Sequence, residues 1–306
     1  MSPIASEQEV SDVGAILNNP VTPLAERFRA LFTLMGIGGR HAVETICSGF
    51  TDESELLKHE LAFCLGQMQD VLAIPTLTSV LEDDDQPIIV RHEAGEALGA
   101  IGQISSLPVL QKYLTHSSEP LRQTCELAIE RINWMANKSE DSPSSNFTSV
   151  DPAPAFNASK TIPELRNIIL DPKQSLFDRY RAMFSLRNLA TDDSIAALVA
   201  ALDCEDSALL RHEVAYVLGQ LADKRGIEGL SKKLKDHSDD PMVRHECAEA
   251  LGAVEDEECQ KILSDHLIDE DLIVRQSCEI ALDINNSETQ KEFQYADTLT
   301  KIRNDA

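Results

Sequence analysis

Aromatic side chains are scarce in this sequence. They make up 5% of the 306 residues, and there is a single tryptophan. Alanine and leucine are plentiful, a balance that suits helix-on-helix packing better than a β-sandwich. The aromatics are also too few and too separated to form a base-stacking platform for single-stranded nucleic acid. A helical fold is therefore predicted.

Long hydrophobic runs are missing as well. No apolar stretch approaches the ~18 residues that a membrane-spanning helix requires. The first residues, MSPIASEQEVSDVGAILNN, contain neither a basic n-region nor an apolar h-region. We predict no membrane segment and no signal peptide.

No CxxC pair occurs in the sequence. The cysteines are odd in number: Cys47, Cys64, Cys125, Cys204, Cys247, Cys259 and Cys278. This pattern argues against a disulfide framework and against a zinc knuckle. It favours a reducing compartment, and we predict the cytoplasm, with the nucleus as the alternative.

Basic residues are half as frequent as acidic ones. The 27 Lys and Arg residues against 52 Asp and Glu residues give a formal net charge of -25. Such a surface repels phosphate, so no binding to DNA or RNA is expected. It would attract a basic protein or a polyamine-like substrate, although plain solubility also explains the charge.

The chain contains an internal duplication. HELAFCLGQM at 59–68 matches HEVAYVLGQL at 212–221, and RHEAGEALGAI at 91–101 matches RHECAEALGAV at 244–254. Residues 138–160 are rich in Ser, Pro, Asn and Asp and show no apolar periodicity, which is typical of a linker. The predicted organisation has four parts: an N-terminal half (1–137), a flexible linker (138–160), a C-terminal half (161–285) and a polar tail (286–306).

A shorter period of 31 to 33 residues runs through each half. The aligned positions are Phe28, His59, His92 and Gln123 in the first half and Tyr180, His212, His245 and Gln276 in the second. A helical repeat of this length is typical of an α-solenoid. We predict an all-α solenoid of eight helical-hairpin repeats, in two halves of four that face each other.

A His-Glu dipeptide occupies only the two middle repeats of each half. The four copies are His59-Glu60, His92-Glu93, His212-Glu213 and His245-Glu246. At about 100° per residue, each His lies almost opposite the apolar stripe of its helix, and each Glu lies on the flank. The histidines should therefore project toward the concave surface. A glycine follows each His by seven residues and should leave room for a ligand to approach: Gly66, Gly99, Gly219 and Gly252.

Imidazole and carboxylate side chains from neighbouring helices, about 8–10 Å apart, can reach one point. The two candidate ligand sets are His59 and His92 with Glu93 or Glu60, and His212 and His245 with Glu246 or Glu213. Two histidines and one carboxylate suit Fe(II) with open coordination positions, and they also suit catalytic zinc. If the halves face each other, the sets form one two-metal site. Iron would indicate oxidation with O₂, whereas zinc or manganese would indicate hydrolysis.

Other repeated residues favour a structural role. The alternative for the His-Glu pairs is a bond to loop backbone, but confinement to the middle repeats favours a site. An arginine series extends into the outer repeats and should pair with acids such as Asp84, Asp85 or Asp240: Arg91, Arg122, Arg211, Arg244 and Arg275. The remaining histidines fall outside the register and are predicted to be surface or loop residues: His41, His116, His237 and His266.

From Val21 to Asn285 the sequence resembles the deoxyhypusine hydroxylases, which are HEAT-repeat di-iron monooxygenases. The resemblance rests on the four His-Glu motifs, the two duplicated halves and the linker between them. It implies a HEAT-like solenoid with two Fe(2+) per chain. It also implies hydroxylation of the deoxyhypusine side chain of a translation factor precursor to hypusine, with O₂ and two electrons from an unknown reductant.

The resemblance also assigns roles to the site residues. All four histidines, together with Glu93 and Glu246, match the family's iron ligands. Glu60 and Glu213 match its other two glutamates, which bind either metal or the amine of the substrate. No acid or base is assigned apart from the di-iron centre. HEAT-like repeats of this texture also occur in scaffolds and in bilin lyase-like proteins without metal catalysis, and a dinuclear hydrolase is a third alternative.

Overall fold

The computed structural model describes residues 5–137, 145–157, 160–254, 256–286 and 296–305. All regular structure in these ranges is helical, as predicted. The helices of the first half are α1 Glu7–Leu17, α2 Leu24–Ile37, α3 Gly39–Cys47, α4 Glu55–Met68, α5 Ile74–Glu82, α6 Ile88–Ile101, α7 Leu107–Lys112 and α8 Glu119–Ala136. Those that follow are α9 Ile162–Leu170, α10 Leu176–Leu189, α11 Asp192–Ala201, α12 Ala208–Leu221, α13 Ile227–Leu234, α14 Pro241–Ala253, α15 Glu257–Asp265, α16 Leu272–Asn286 and α17 Thr298–Asp305. Short 3-10 helices occupy Ser48–Thr51, Val71–Ala73, Ile104–Ser106 and Lys224–Gly226.

Helices α1 to α16 pair into eight consecutive hairpins. Each odd-numbered helix packs against the even-numbered helix that follows it, and the even-numbered helices of each half pack side by side. The prediction of an α-solenoid with eight helical-hairpin repeats is confirmed. No helix within the described ranges has both the length and the apolar character needed to cross a membrane.

Helix α6 illustrates how the sequence specifies a repeat. Pro87, whose fixed φ suits the start of a helix, precedes the first turn. Gly102 ends the helix with φ 75°, a left-handed conformation that favours glycine. Between them Val90, Ala94 and Leu98 are buried and form the apolar stripe that packs on α5. The hydrophobic core therefore lies between the two helices of each hairpin.

Arg91 and Arg244 of the arginine series pair with acidic residues in the loops between the two helices of a hairpin. The Nε of Arg91 donates to the carbonyl of Leu81 over 3.0 Å, and its guanidinium pairs with Asp84 at 2.8 Å. Arg244 pairs with Asp269 rather than with Asp240. The carboxylate of Asp240 instead accepts the Met242 N–H over 3.0 Å and caps α14.

The even-numbered helices of the two halves close into a ring. Helix α8 packs against α10 and α12, and α16 packs against α2 and α4. Two equivalent hydrogen bonds join the halves, and we call them the latch bonds. Ser207 Oγ donates to Gln123 Oε1 over 2.8 Å, and Ser54 Oγ donates to Gln276 Oε1 over 3.0 Å. Each half therefore contributes one serine and one glutamine to the closure.

Removing one latch bond should loosen the ring without unfolding it. We expect Gln276→Ala to lower the free energy of unfolding by about 0.5–1.5 kcal/mol, the usual net contribution of one hydrogen bond. Denaturant unfolding measures this change. The matched control is Gln111→Ala on the exposed surface of α7, which should change the stability by less than ~0.5 kcal/mol. Equal values for the two variants would contradict a role for Gln276 in closure.

Residues 145–157 of the predicted linker contact both halves. The Val150 N–H donates to Gln67 Oε1 over 2.8 Å, and Gln220 Nε2 donates to Ser149 Oγ over 3.0 Å. The buried guanidinium of Arg187 pairs with Asp151 at 2.6 Å. This stretch crosses from one half of the ring to the other.

The predicted boundaries of the four parts stay predictions, as does the flexibility of the linker. Residues 138–144 and 158–159 of the linker lie outside the described residues, as do 287–295 and 306 of the tail. Within the described part of the tail, α17 packs against α1 and α2.

Candidate metal centre

The four histidines of the His-Glu dipeptides form one cluster at the centre of the ring. They lie on α4, α6, α12 and α14, and each is at most 4% exposed. The ring centroid of His59 lies 5.5, 5.9 and 5.2 Å from those of His92, His212 and His245. His92 and His245 each lie 5.3 Å from His212. The structure thus brings together side chains that are up to 186 residues apart in the sequence, from His59 to His245.

Two of the four glutamates lie beside the imidazoles. Glu93 Oε2 is 3.3 Å from His59 Nε2 and 3.9 Å from His92 Nε2. In the other half, Glu246 Oε2 is 3.4 Å from His212 Nε2. Among the described residues, the groups of ligand atoms that lie within 4.8 Å of one another include Glu93, Glu246 and Glu249, but neither Glu60 nor Glu213. The geometry therefore separates the four glutamates into two pairs.

The imidazole nitrogens fit a metal cluster. Within the described residues, both ring nitrogens of His59, His92 and His212, and Nε2 of His245, are buried without a hydrogen-bond partner. Glu93 lies near His59, but the orientation of the imidazole does not allow a hydrogen bond between them. Leaving a buried polar group unsatisfied costs about 1–3 kcal/mol. A divalent cation would satisfy one nitrogen of each ring, and histidine with carboxylate is a donor set that iron and zinc accept.

The electrostatics of two histidines and two glutamates point the same way, whereas at His59 burial lowers the pKa but the adjacent Glu93 carboxylate raises it above the usual value. Burial lowers the pKa of His92 and of His212 well below the usual value, and the neighbouring imidazoles lower it further. These rings are therefore neutral, which is the form that binds metal. Burial raises the pKa of Glu213 and of Glu246 well above the usual value, and nearby carboxylates add to the effect. Positive charge at the centre would relieve this repulsion.

The glycines that follow each histidine admit a neighbouring helix. A Cβ added to Gly66 would lie 2.9 Å from the Cα of Ala97, and one added to Gly99 would lie 2.8 Å from the Cα of Ala128. Gly219 and Gly252 approach Ala250 and Ala281 in the same way, at 3.0 and 2.8 Å. The expectation that these glycines leave room for a ligand was wrong, since the space is filled by the backbone of the next even-numbered helix. Because glycine has no side chain, adjacent helices approach closely and their histidines come together.

Sequence reasoning missed four side chains that lie one turn after the histidines. Phe63 and Tyr216 meet across the halves with ring centroids 5.9 Å apart. Glu96 and Glu249 take the corresponding places on α6 and α14. Their spacing of four residues from a histidine was a readable signal, because such residues share a helix face. The other histidines lie outside the cluster: His41, His116, His237 and His266.

Comparison with known proteins identifies the same helical-repeat fold. A family model described as HEAT repeats matches residues 27–130 and 195–283, and one described as a PBS lyase HEAT-like repeat matches 178–204. The chain is 50% identical over 299 residues to deoxyhypusine hydroxylase of Drosophila melanogaster, covering 98% of this chain and 99% of that protein. It is 48% identical over 304 residues to deoxyhypusine hydroxylase of Homo sapiens, again covering 98% of this chain and 99% of that protein.

A solved structure extends the comparison. The structure of human deoxyhypusine hydroxylase in complex with glycerol matches with a TM-score of 0.89 at 48% identity, covering 92% of this chain and 97% of that one. Fold and site together define a HEAT-repeat protein with a buried cluster of histidine and glutamate. At these identities, over nearly the whole length, the chain belongs to the deoxyhypusine hydroxylase family. The resemblance inferred from the motifs is confirmed.

Proposed function

We propose that this enzyme hydroxylates the deoxyhypusine side chain of a translation factor precursor to hypusine, with two Fe(2+) ions, O₂ and two electrons from a reductant. The observation that carries the proposal is the four-histidine cluster with Glu93 and Glu246, held in the ring of a chain of this family. Deoxyhypusine is a lysine extended by a butylamine group, so the substrate is a long cationic side chain.

The ligands of the metal would be the four histidines, Glu93 and Glu246. Bound iron would supply the activation of O₂, from which one oxygen atom enters a C–H bond and the other leaves as water with two electrons and two protons. The chain's own contribution is enclosure. The eight side chains of the His-Glu dipeptides are at most 7% exposed, so the cluster is largely shielded from bulk water. Exclusion of water strengthens the electrostatic interactions inside and limits side reactions.

Glu60 and Glu213 are suited to bind the amine of the substrate. Both are buried, and Glu213 lies close enough to Glu93 and Glu96 for their charges to raise its pKa, after the larger effect of burial. A cationic amine would be attracted to carboxylates placed in this way. The acidic surface, with a net charge of -25, favours the approach of a basic protein loop.

Replacing Glu60 or Glu213 should separate substrate binding from iron binding. We expect Glu60→Ala and Glu213→Ala to weaken binding of the deoxyhypusine-bearing protein by about 2 kcal/mol or more, because a buried charged hydrogen bond is lost. Iron content should fall much less. Binding is measured by titration calorimetry with the precursor, and iron by metal analysis. If either variant loses iron content to the same degree as it loses binding of the precursor, that glutamate is a metal ligand instead.

The activity itself is tested with purified protein loaded with Fe(2+), the precursor carrying deoxyhypusine, O₂ and a chemical reductant. We expect the mass of the modified peptide to rise by one oxygen atom, with the label when ¹⁸O₂ is used. Zinc- and manganese-loaded protein are the controls and should yield no product. An unchanged peptide mass with the iron-loaded protein would refute the proposal.

The proposed location is the cytoplasm, with the nucleus as the alternative.

A further inference from the structure

The two halves of the metal cluster differ in how one histidine is held. His245 Nδ1 lies 3.4 Å from Glu249 Oε1 and 3.4 Å from Ser277 Oγ. Ser277 is fully buried and its hydroxyl donates to the same Glu249 oxygen over 2.9 Å. Glu249 thus joins a histidine of its own helix, α14, to a serine of the next even-numbered helix, α16.

The equivalent residues of the first half make no such chain. His92, Glu96 and Thr124 precede His245, Glu249 and Ser277 by 153 residues each. Within the described residues, neither ring nitrogen of His92 has a hydrogen-bond partner, and Thr124 Oγ1 is also buried without one. Glu96 instead interacts electrostatically with Glu93 and Arg131. The two halves share the His and the Glu and have a hydroxyl residue at the third position, but they do not share the contacts.

We propose that Glu249 is a positioning residue for the metal centre. Its carboxylate accepts a hydrogen bond from the Nδ1–H of His245, which fixes the tautomer and the ring orientation and leaves Nε2 directed to the metal. The Ser277 hydroxyl, which donates to the same carboxylate, fixes the carboxylate in turn. A carboxylate behind a ligating histidine makes the imidazole a stronger ligand. The two metal positions are therefore not equivalent, and the one that includes His245 is preorganised. This inference rests on the metal part of the proposed function.

The test measures release of Fe(2+) from the full-length, iron-loaded protein to an excess of chelator, independently of hydroxylation. In Glu249→Leu, we expect one of the two Fe(2+) ions to leave about 10- to 100-fold faster than in the unaltered protein. Ser277→Ala should accelerate the release of the same ion by a smaller factor. The matched controls are Glu96→Leu and Thr124→Ala, which should change both release rates by less than about threefold. Thermal unfolding of the metal-free proteins checks that each variant folds.

The outcomes separate this inference from the proposed function. If the unaltered protein binds no Fe(2+), the proposed function fails. If it binds two, and Glu249→Leu and Glu96→Leu accelerate release equally, the inference is overturned. Unchanged release in both Glu249→Leu and Ser277→Ala also overturns it. If Glu249→Leu cannot take up one ion even at saturating Fe(2+), Glu249 is a direct ligand and the positioning role is wrong.

Discussion

Replacing His59 by alanine should abolish the tight binding of Fe(2+) and reduce hydroxylation to background. His59 lies within 5.9 Å, ring centroid to ring centroid, of each of the other three histidines, and it belongs to two of the candidate ligand groups. Its loss should therefore affect both of the proposed metal positions. The metal-free protein should keep its fold, because the substitution removes two buried nitrogens that lack partners.

This combination of effects distinguishes a ligand from a structural histidine. Each Fe(2+) ion, at 100 times its dissociation constant, should stabilise the unaltered protein by about 2.7 kcal/mol, and this gain should vanish in His59→Ala. Metal analysis and thermal unfolding with and without Fe(2+) provide the measurement. The control is His41→Ala, at an exposed site where the ring contacts Ser11 Oγ at 3.0 Å, and it should keep both iron and activity. Full iron and full turnover in His59→Ala would exclude the assignment.

Gly99→Val should destabilise the protein by at least ~3 kcal/mol and disrupt the centre, because the added side chain would overlap the backbone of α8. A Cβ alone would lie 2.8 Å from both Cα and Cβ of Ala128, so Gly99→Ala should already cost about 1–3 kcal/mol. Moving α6 away from α8 would also displace His92 within the ring. We therefore expect loss of iron affinity together with loss of stability.

Denaturant unfolding and iron titration of the same samples test this expectation. The control is Gly36→Ala inside α2, where no atom lies within 4 Å of the added Cβ. That change should stabilise the helix by roughly 0.5–1 kcal/mol and leave iron binding unchanged. If Gly99→Val were as stable as the unaltered protein, the close approach of α6 and α8 would not be required for the site.

The fold was predictable because its determinants are local and repeated. The apolar stripe of each even-numbered helix recurs every 31 to 33 residues, and the whole pattern recurs at an offset of 152 or 153. The angular position of a histidine relative to that stripe follows from helix geometry alone. The sequence could therefore place His59, His92, His212 and His245 on the inner face without knowledge of the distances between them.

Contacts between helices were not predictable in this way. The register marked Gln123 and Gln276 as different from the histidines, but their partners are 84 and 222 residues away, in the opposite half. The role of Gly99 depends on how closely α8 approaches, which no local pattern states. Similarly, Glu96 and Glu249 share a spacing from a histidine, yet only Glu249 bonds to it within the described residues.

The reciprocity of the latch bonds has a consequence for how the ring is assembled. Each half carries both kinds of latch residue and two of the four histidines, so two copies of one half contain every element that a two-fold symmetric homodimer would need. Joining them in one chain makes closure intramolecular, so the two halves meet at an effective concentration that the connecting segment sets. Assembly of the centre is then independent of protein dilution. Once fused, the halves were also free to diverge, as His92 and His245 have in their surroundings.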